Sequence, residues 1–473
     1  MWLQLEEITL KIDSVDNIDT LTIKRDSNFN IEVHANGKLS TGMNSQNDID
    51  SIFNRSSQKE IEILTHDLKI NSHRYLIKGV AFHSRSINPQ LETVKYDGYA
   101  RNVYEYWDEY DQKNNLFVIY WFLNNNDNLA YQETLKITEK NETSIQWGSF
   151  CEDVYKDNDD IPSHMSWSLL SFKYKTYEVL FGKVDKKNSG IDKASFLRFK
   201  DGIFPTDEEI YELYQLLSYI IGTELIPIGK SIYNNKKYRM QNYYNATYML
   251  DVDRKISERE MPSLPIRNND QYYLKIDSSQ VFSDFLNKYF NNKEKYKLNV
   301  VLWYLNYSRT QHPYIKIQPL SSAFDILCSQ FYEKGKKTID ENMFDKIKKR
   351  ILQIIDEEIT DDKMNEVFRG RISNLNNDSQ NERNRNIFKD LSMELSELEI
   401  DALKSRNSNI HGINFNSDPV KIFKQANAYY VLVNRLLLKL LEFDKYIDYS
   451  EYENPVNDIK NKQNGLYAGI KII

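Results

Sequence analysis

Apolar and polar residues alternate in several short stretches of the first half of the chain, a pattern that indicates half-buried β-strands. Residues 117–122 (FVIYWF) are apolar on both faces, which predicts a central strand covered on both sides. Asn36-Gly37 is a strong hairpin-turn signal. The predicted strands lie within residues 2–12, 19–23, 60–64, 75–82, 116–123 and 169–181.

A helix is predicted next, because the sequence marks both of its ends. Thr206 and Glu209 have the spacing of a capping box, and Gly222 supplies the residue type that ends many helices. The two prolines within residues 261–265 make this stretch the best candidate for a domain linker. Mixed strand patterns lie between the helix and the linker, at residues 225–232 and 238–250.

Beyond the linker the apolar period becomes that of helices and stays so. Thr338 with Glu341, and Ser396 with Glu399, have the spacing of two further capping boxes. The predicted helices are residues 279–290, 296–307, 321–332, 338–355, 362–374, 386–395 and 396–409.

The last helix has a clear start and a broad apolar face. Asp418 is the expected N-cap and Pro419 the first helical residue, and the pattern runs to about residue 446. A helix of this kind has to pack in a bundle or against a partner subunit. We therefore predict an α+β protein with a β-rich N-terminal domain and an all-α domain after it. The predicted boundaries are residues 1–265, 275–450 and a loosely ordered tail at 451–473.

Composition and length indicate a globular protein. The chain has 473 residues, 28% of them charged and 40% hydrophobic, which is enough for two or three domains. Residues 1–7 lack the basic region and apolar core expected of a signal peptide, and no apolar run is long enough to cross a bilayer. With Cys151 and Cys328 alone, a disulfide framework or a cysteine-based zinc site is excluded. We expect a cytoplasmic protein without membrane association, metal or cofactor.

The net charge of −7 excludes a chain that binds nucleic acid through an overall basic surface. Contact with RNA would have to be local. Each local basic cluster also fits a solvated helix face or turn, and this alternative stays open. The clusters are residues 334–337, 348–350, 369–371 and 383–385.

Three weaker patterns also have two interpretations. Asp251 and Asp253 could bind a cation, or they could be acids on a strand edge. Tyr104, Tyr106 and Trp107 could stack on bases, or they could pack in the core. The motifs typical of phosphate loops, dinucleotide-binding turns and zinc proteases do not occur.

Arg406, Asn407, His411 and Gly412 form the segment with the clearest catalytic chemistry. Arginine offers a planar, permanently charged fork to phosphate oxygens, and histidine transfers protons near neutral pH. Asn407 and His411 are i,i+4 neighbours, and Arg406 points about 140° away from His411 on an ideal helix. The long arginine stem could still reach the same cleft. The alternative interpretation is an ordinary helix end with polar surface residues.

A helical domain with Arg-Asn-x-x-x-His-Gly before a long final helix resembles the HEPN superfamily, and most closely its Apea-like group. The resemblance covers roughly residues 295–450. The β-rich domain in front of it matches the general layout of that group.

The resemblance implies a metal-independent endoribonuclease that acts as a homodimer with a composite cleft. His411 would be the general base or acid, Arg406 would stabilise the phosphorane-like charge, and Asn407 would hold the geometry. Asp325 is the candidate for an acidic residue that braces the motif arginine. The ribose 2′-hydroxyl would be the nucleophile, giving 2′,3′-cyclic phosphate and 5′-hydroxyl ends.

Relatives of this type are anti-phage abortive-infection factors that halt growth, as a toxin does, by cutting host RNA, with tRNA as one candidate. The N-terminal domain would then be a regulator that senses a phage-derived trigger. A rival hypothesis is a non-catalytic recognition protein, whose helices dimerise and whose β domain binds a phage protein or nucleic acid.

Overall fold

The structure is a computed structural model that divides into two compact units, Met1–Leu286 and Asn287–Ile473. The described part of the first is rich in strands and that of the second is helical, so the chain is α+β, as predicted. The residues described are 7–12, 18–26, 29–38, 63–67, 73–88, 90–107, 113, 115–124, 133–138, 143–147, 151–155, 164–184, 194–236, 238–247, 278–309, 311–332, 339–373, 375–376, 380–410 and 418–443.

The described part of the first unit holds one helix, the start of a second, and a set of strands. The strands are β1 (Ile8–Ile12), β2 (Ile18–Arg25), β3 (Ile31–Lys38), β4 (Ile63–Asp67), β5 (His73–Lys78), β6 (Ala81–Asn88), β7 (Thr93–Ala100), β8 (Asn102–Trp107), β9 (Asn115–Leu123), β10 (Glu133–Thr138), β11 (Thr143–Trp147), β12 (Cys151–Tyr155), β13 (His164–Tyr174), β14 (Tyr177–Val184), β15 (Ala194–Phe199), β16 (Ile226–Asn234) and β17 (Arg239–Asn245).

All of these strands pair antiparallel in one continuous sheet. The order, read from the pairings, is β6-β7-β3-β2-β1-β4-β5-β8-β17-β16-β9-β15-β14-β13-β10-β11-β12. Leu10 of β1 and Phe196 of β15 are far apart in this order, yet both belong to one buried core. The sheet therefore curves so that its inner face encloses that core, as expected for a long twisted sheet.

Arg25, at the end of β2, joins strands that lie far apart in the sheet order. Its Nη2 donates hydrogen bonds to the carbonyl oxygens of Ile228 in β16 (2.9 Å) and Asn245 in β17 (3.1 Å). The guanidinium also lies over the rings of Phe29 and Tyr244. Loss of solvent at this junction lowers the pKa of Arg25 to about 10.

Strand β9 is central and covered on both faces, as its apolar run predicts. Its partners are β15 and β16, and residues 117–123 are all buried. On the outer face it is covered by helix α1 (Asp207–Ile221), where Tyr214 stacks on Phe122 with ring centroids 6.2 Å apart. The predicted signals of α1 are confirmed, because Thr206 and Glu209 form the capping box and Gly222 takes a left-handed φ of 79°.

The division between the units falls inside helix α2 (Ser278–Tyr296). Its first turns pack on the β-rich unit, where Phe282 contacts Phe172 (ring centroids 5.4 Å) and Phe285 contacts Tyr219 (5.6 Å). The predicted linker at residues 261–265 lies outside the described residues.

Helix α4 begins earlier than its apolar pattern indicates. His312 caps it and Pro313 begins it, so the predicted start at residue 321 is wrong, and Pro319 lies inside the helix. The helices of the second unit are α3 (Leu298–Arg309), α4 (Pro313–Phe331), α5 (Glu341–Glu358), α6 (Asp362–Ser373), α7 (Gln380–Asp390), α8 (Glu397–Ile410) and α9 (Pro419–Leu440).

Other helix ends in this unit partly match the prediction. The capping box of Ser396 and Glu399 and the Asp418 cap of α9 are confirmed. Asp340, rather than Thr338, is the N-cap of α5, because its carboxylate accepts from the Met343 N–H at 3.0 Å. Helix α9 ends at Leu440, short of the predicted residue 446. Among the described helices, none combines the length and apolar character needed to cross a bilayer.

Three strand predictions are wrong in detail. Asn36-Gly37 is not a hairpin turn but part of β3, because pairing with β2 and β7 on both sides outweighs the local turn preference. Residues 169–181 are not one strand, since a turn with Lys175 at φ 52° separates β13 from β14. Residues 75–82 are likewise divided, by Gly79 at φ 64°.

Candidate functional site

Helix α8 carries Arg406, and two polar contacts fix this helix against α9. The Glu399 carboxylate accepts two hydrogen bonds from Arg435 Nη1 on α9, at 2.6 and 2.7 Å. The Glu399 side chain is only 2% exposed, so the pair is almost dry. Two residues further along α8, Asp401 Oδ2 accepts a hydrogen bond from Gln425 Nε2 of α9 at 2.7 Å. These contacts set the position from which Arg406 projects.

Arg406 and Asp325 form an ion pair between α8 and α4. Arg406 Nη2 donates to Asp325 Oδ2, and the two side chains are 12% and 37% exposed. The guanidinium carbon also lies 5.7 Å from the centroid of the Phe324 ring. The pairing that the family resemblance implies is therefore present, and the catalytic roles of both residues stay predictions.

The surroundings of this pair are aromatic and apolar. Phe324 lies 5.8 Å from Phe388 of α7 and 6.0 Å from Tyr429 of α9, measured between ring centroids. Burial raises the pKa of Tyr429 above its ordinary value, and the charge of Arg406 opposes the shift. A low-polarity wall of this kind strengthens the attraction between Arg406 and an anion.

Cys328 lies one turn after Asp325 on α4 and is fully buried. Burial raises the pKa of its thiol, the Asp325 carboxylate raises it further, and Arg406 and Arg383 act against the rise. The thiol is thus protonated at neutral pH, which is the state of an inert packing cysteine rather than of a nucleophile.

Arg383 of α7 is a neighbour of the site that the sequence did not identify as such. Sequence patterns indicated either an RNA contact or a solvated face for residues 383–385, but Asn384 is buried, 8% exposed. The charge of Arg383, like that of Arg406, acts to lower the pKa of Cys328, so both guanidinium groups are near this thiol. In the sequence, only the Arg-Asn-Arg cluster at residues 383–385 pointed to this neighbour, and the direction in which Arg383 points depends on how α7 packs on α4.

The rest of the predicted motif is described less fully. Asn407 belongs to α8, but its side chain lies outside the described residues, as do His411 and Gly412. The structure brings Arg406 and Asp325 together and leaves the relation of both to His411 a prediction.

The other sequence candidates that the structure describes do not join this site. Residues 348–350 and 369–371 lie on solvated helix faces, and Arg369 pairs with Asp356 through its Nη2. Residues 334–337, Asp251 and Asp253 lie outside the described part of the chain. Within the residues that the structure describes, no group of three or more His, Cys, Asp or Glu side chains could hold a metal ion.

The aromatic residues Tyr104, Tyr106 and Trp107 divide between the two interpretations. Tyr104 and Tyr106 are half-exposed on the outer face of β8, with nearly parallel rings 6.2 Å apart. Trp107 lies at the strand end, where the Arg239 guanidinium stands 5.2 Å from its ring. The alternative interpretation, core packing, therefore does not apply to Tyr104 and Tyr106.

Chemically, the Arg406 pair is suited to hold an anion, because an anchored guanidinium keeps its fork in one orientation. Comparison of the chain with protein-family models, curated proteins and solved structures found no match.

Proposed function

We propose that this chain is a metal-independent endoribonuclease of the HEPN type, with its active site at the end of helix α8 (residues 397–410). The observation that carries the proposal is the Arg406–Asp325 pair. The pair holds a guanidinium at 12% exposure on a helix that also carries Asn407 and ends at Ile410, directly before His411.

The pair supports phosphodiester chemistry for an electrostatic reason. A cation held in place before the reaction stabilises developing negative charge without reorganising. Asp325 would therefore be a positioning residue, and Arg406 the residue that contacts the phosphate. The aromatic wall of Phe324 and Tyr429 lowers the local dielectric, which strengthens that contact.

His411 would accept the proton of the ribose 2′-hydroxyl, or donate one to the leaving 5′-oxygen. The 2′-oxygen attacks the adjacent phosphorus, the bond from phosphorus to the 5′-oxygen breaks, and the products carry a 2′,3′-cyclic phosphate and a 5′-hydroxyl. Asn407 would orient the reacting groups. This sequence of steps uses no metal ion.

A homodimer through the helical unit is part of the proposal. Three large apolar side chains on α8 and α9 stand partly in solvent: Ile400 of α8 (39% exposed), and Val420 (54%) and Phe423 (39%) of α9. Exposed apolar side chains on the two helices that frame a site are a reason to expect a second copy there.

The biological setting that fits such an enzyme is cytoplasmic anti-phage defence by abortive infection. The substrate would be host RNA, with tRNA as a candidate, and the β-rich unit would restrain the nuclease until a phage-derived trigger arrives.

Growth on overexpression tests the proposal in a cell, where a trigger can be supplied by phage challenge. Wild type should arrest growth, and Arg406→Ala and His411→Ala should not. Arg369→Ala is the matched control, because Arg369 forms an exposed pair with Asp356 on the same unit and should leave toxicity intact. Equal growth of wild type and Arg406→Ala, with and without phage, would overturn the proposal.

A further inference from the structure

The outer face of three neighbouring strands, β5, β8 and β17, carries a distinctive set of side chains. The registers align Arg74, Leu76 and Lys78 of β5 with Tyr106, Tyr104 and Asn102 of β8. The same β8 residues align with Gln241, Tyr243 and Asn245 of β17. None of these outward positions holds an acidic residue.

Three tyrosines form the centre of this face. Tyr104 and Tyr106 are successive outward residues of one strand, with ring centroids 6.2 Å apart and planes 7° from parallel. Tyr243 packs at 4.8 Å from Tyr104 across the strand pair. Asn102 donates to the Tyr243 hydroxyl at 2.6 Å and so fixes its ring. We call these three residues the tyrosine face.

Lysines flank the tyrosine face on both sides. The Lys78 ammonium stands 5.6 Å from the Tyr104 ring, and the Lys230 ammonium of β16 stands 5.9 Å from the Tyr243 ring. Lys230 also lies 3.7 Å from Asp207, whose side chain is 91% exposed, so this contact is strongly screened. The face is locally cationic in a chain whose net charge is −7.

We propose that the tyrosine face, with Lys78 and Lys230, binds single-stranded nucleic acid. Flat half-exposed rings offer stacking surfaces to unpaired bases, and the lysine ammonium groups beside the rings supply cations for the phosphate backbone. A protein partner is disfavoured because lysine is depleted in protein–protein interfaces, whereas here two lysines flank the tyrosine rings. A duplex cannot stack its paired bases on these rings.

The inference goes beyond the proposed nuclease, because the surface lies in the β-rich unit and binding requires no turnover. It assigns to that unit a ligand of stated chemistry, RNA or DNA in single-stranded form.

The test is fluorescence anisotropy with the full-length Arg406→Ala protein, which should leave the probe uncut, in EDTA against contaminating metal-dependent nucleases. The probes are a fluorescein-labelled 12-nucleotide RNA (about four nucleotides per tyrosine, within the range of known single-strand sites), its DNA counterpart and the RNA duplex. Both single strands should bind more tightly than the duplex. Tyr104→Thr and Tyr106→Thr should each weaken binding about tenfold.

Conservative and charge variants separate stacking from a structural effect. Tyr104→Phe keeps the ring and should bind as the parent does. Lys78→Gln should lower the slope of log affinity against log salt by about 0.7. Tyr211→Ala, which removes an exposed tyrosine of α1, is the matched control and should have no effect.

Two results would overturn the inference. One is equal affinity for single strands and duplex, which would mean that binding depends on the charge of the nucleic-acid backbone alone. The other is unchanged single-strand binding in both threonine variants. Because binding is read on a protein that lacks Arg406, its loss and the loss of RNA cleavage are separate results.

Discussion

Removing the carboxylate of Asp325 should destabilise the helical unit by an amount set by how far the pair is buried. In Asp325→Ala, the Arg406 guanidinium keeps its place beside Phe324 but loses the anion across from it. A cation left in a partly dry site is destabilising, because its lost hydration is no longer offset.

The expected magnitude follows from the exposures of the two side chains. Breaking a fully buried pair costs about 3–5 kcal/mol, whereas an exposed pair contributes about 0.2–1 kcal/mol. Here Arg406 is 12% exposed and Asp325 is 37% exposed, which places the pair between these limits. We expect Asp325→Ala to lower the free energy of unfolding by about 1–2 kcal/mol, at the low end of that interval because the carboxylate is hydrated.

A double-mutant cycle measures the pair itself. Wild type, Asp325→Ala, Arg406→Ala and the double variant are unfolded in urea while the helical circular-dichroism signal is followed. Equal m-values in the four proteins show that the midpoints report stability. The coupling energy should be about 1–2 kcal/mol in favour of the pair.

A coupling energy within about 0.3 kcal/mol of zero would refute the reasoning, since independent sites give that value. It would mean that the pair does not hold Arg406 in solution. The claim that Asp325 positions the catalytic guanidinium would then fall as well.

Three further outcomes are expected. Arg435→Leu should destabilise the helical unit by about 3 kcal/mol, because Glu399 is left charged at 2% exposure, whereas Arg369→Leu, which breaks an exposed pair, should cost under about 1 kcal/mol in the same urea assay. Thr206→Ala should lower the free energy of unfolding of the β-rich unit by about 1 kcal/mol, read by near-ultraviolet circular dichroism, and a change near zero would contradict the cap. Cys328 should react with iodoacetamide far more slowly in the folded than in the unfolded chain, and fast labelling of the native protein, read by mass spectrometry, would contradict its burial. Because burial raises the pKa of the Cys328 thiol, the contribution of this thiol to stability should fall as the pH rises through the unfolded pKa of about 8.5.

Signals that act within a turn or two were predictable from the sequence. The capping box at Thr206, the left-handed Gly222 and the Asp418 cap depend on residues next to one another in the chain. The covered strand at residues 117–122 was predictable too, because apolar residues on both faces leave no solvated side.

Features that depend on contacts between distant parts of the chain could not be predicted from the local sequence. Asn36-Gly37 has the composition of a turn, yet β2 and β7 bind that segment as a strand. The partners of Arg406 show the same limit, since Asp325 is 81 residues away in sequence. A family resemblance implied that contact, while the positions of Arg383 and Cys328 followed only from how the helices pack.

The most direct test of the central claim is to map RNA ends in bacteria that express this protein, before and during phage challenge. The account predicts new 2′,3′-cyclic phosphate and 5′-hydroxyl ends with wild type, and none with Arg406→Ala or His411→Ala. The same ends in all three strains, or none in any of them during phage challenge, would contradict it.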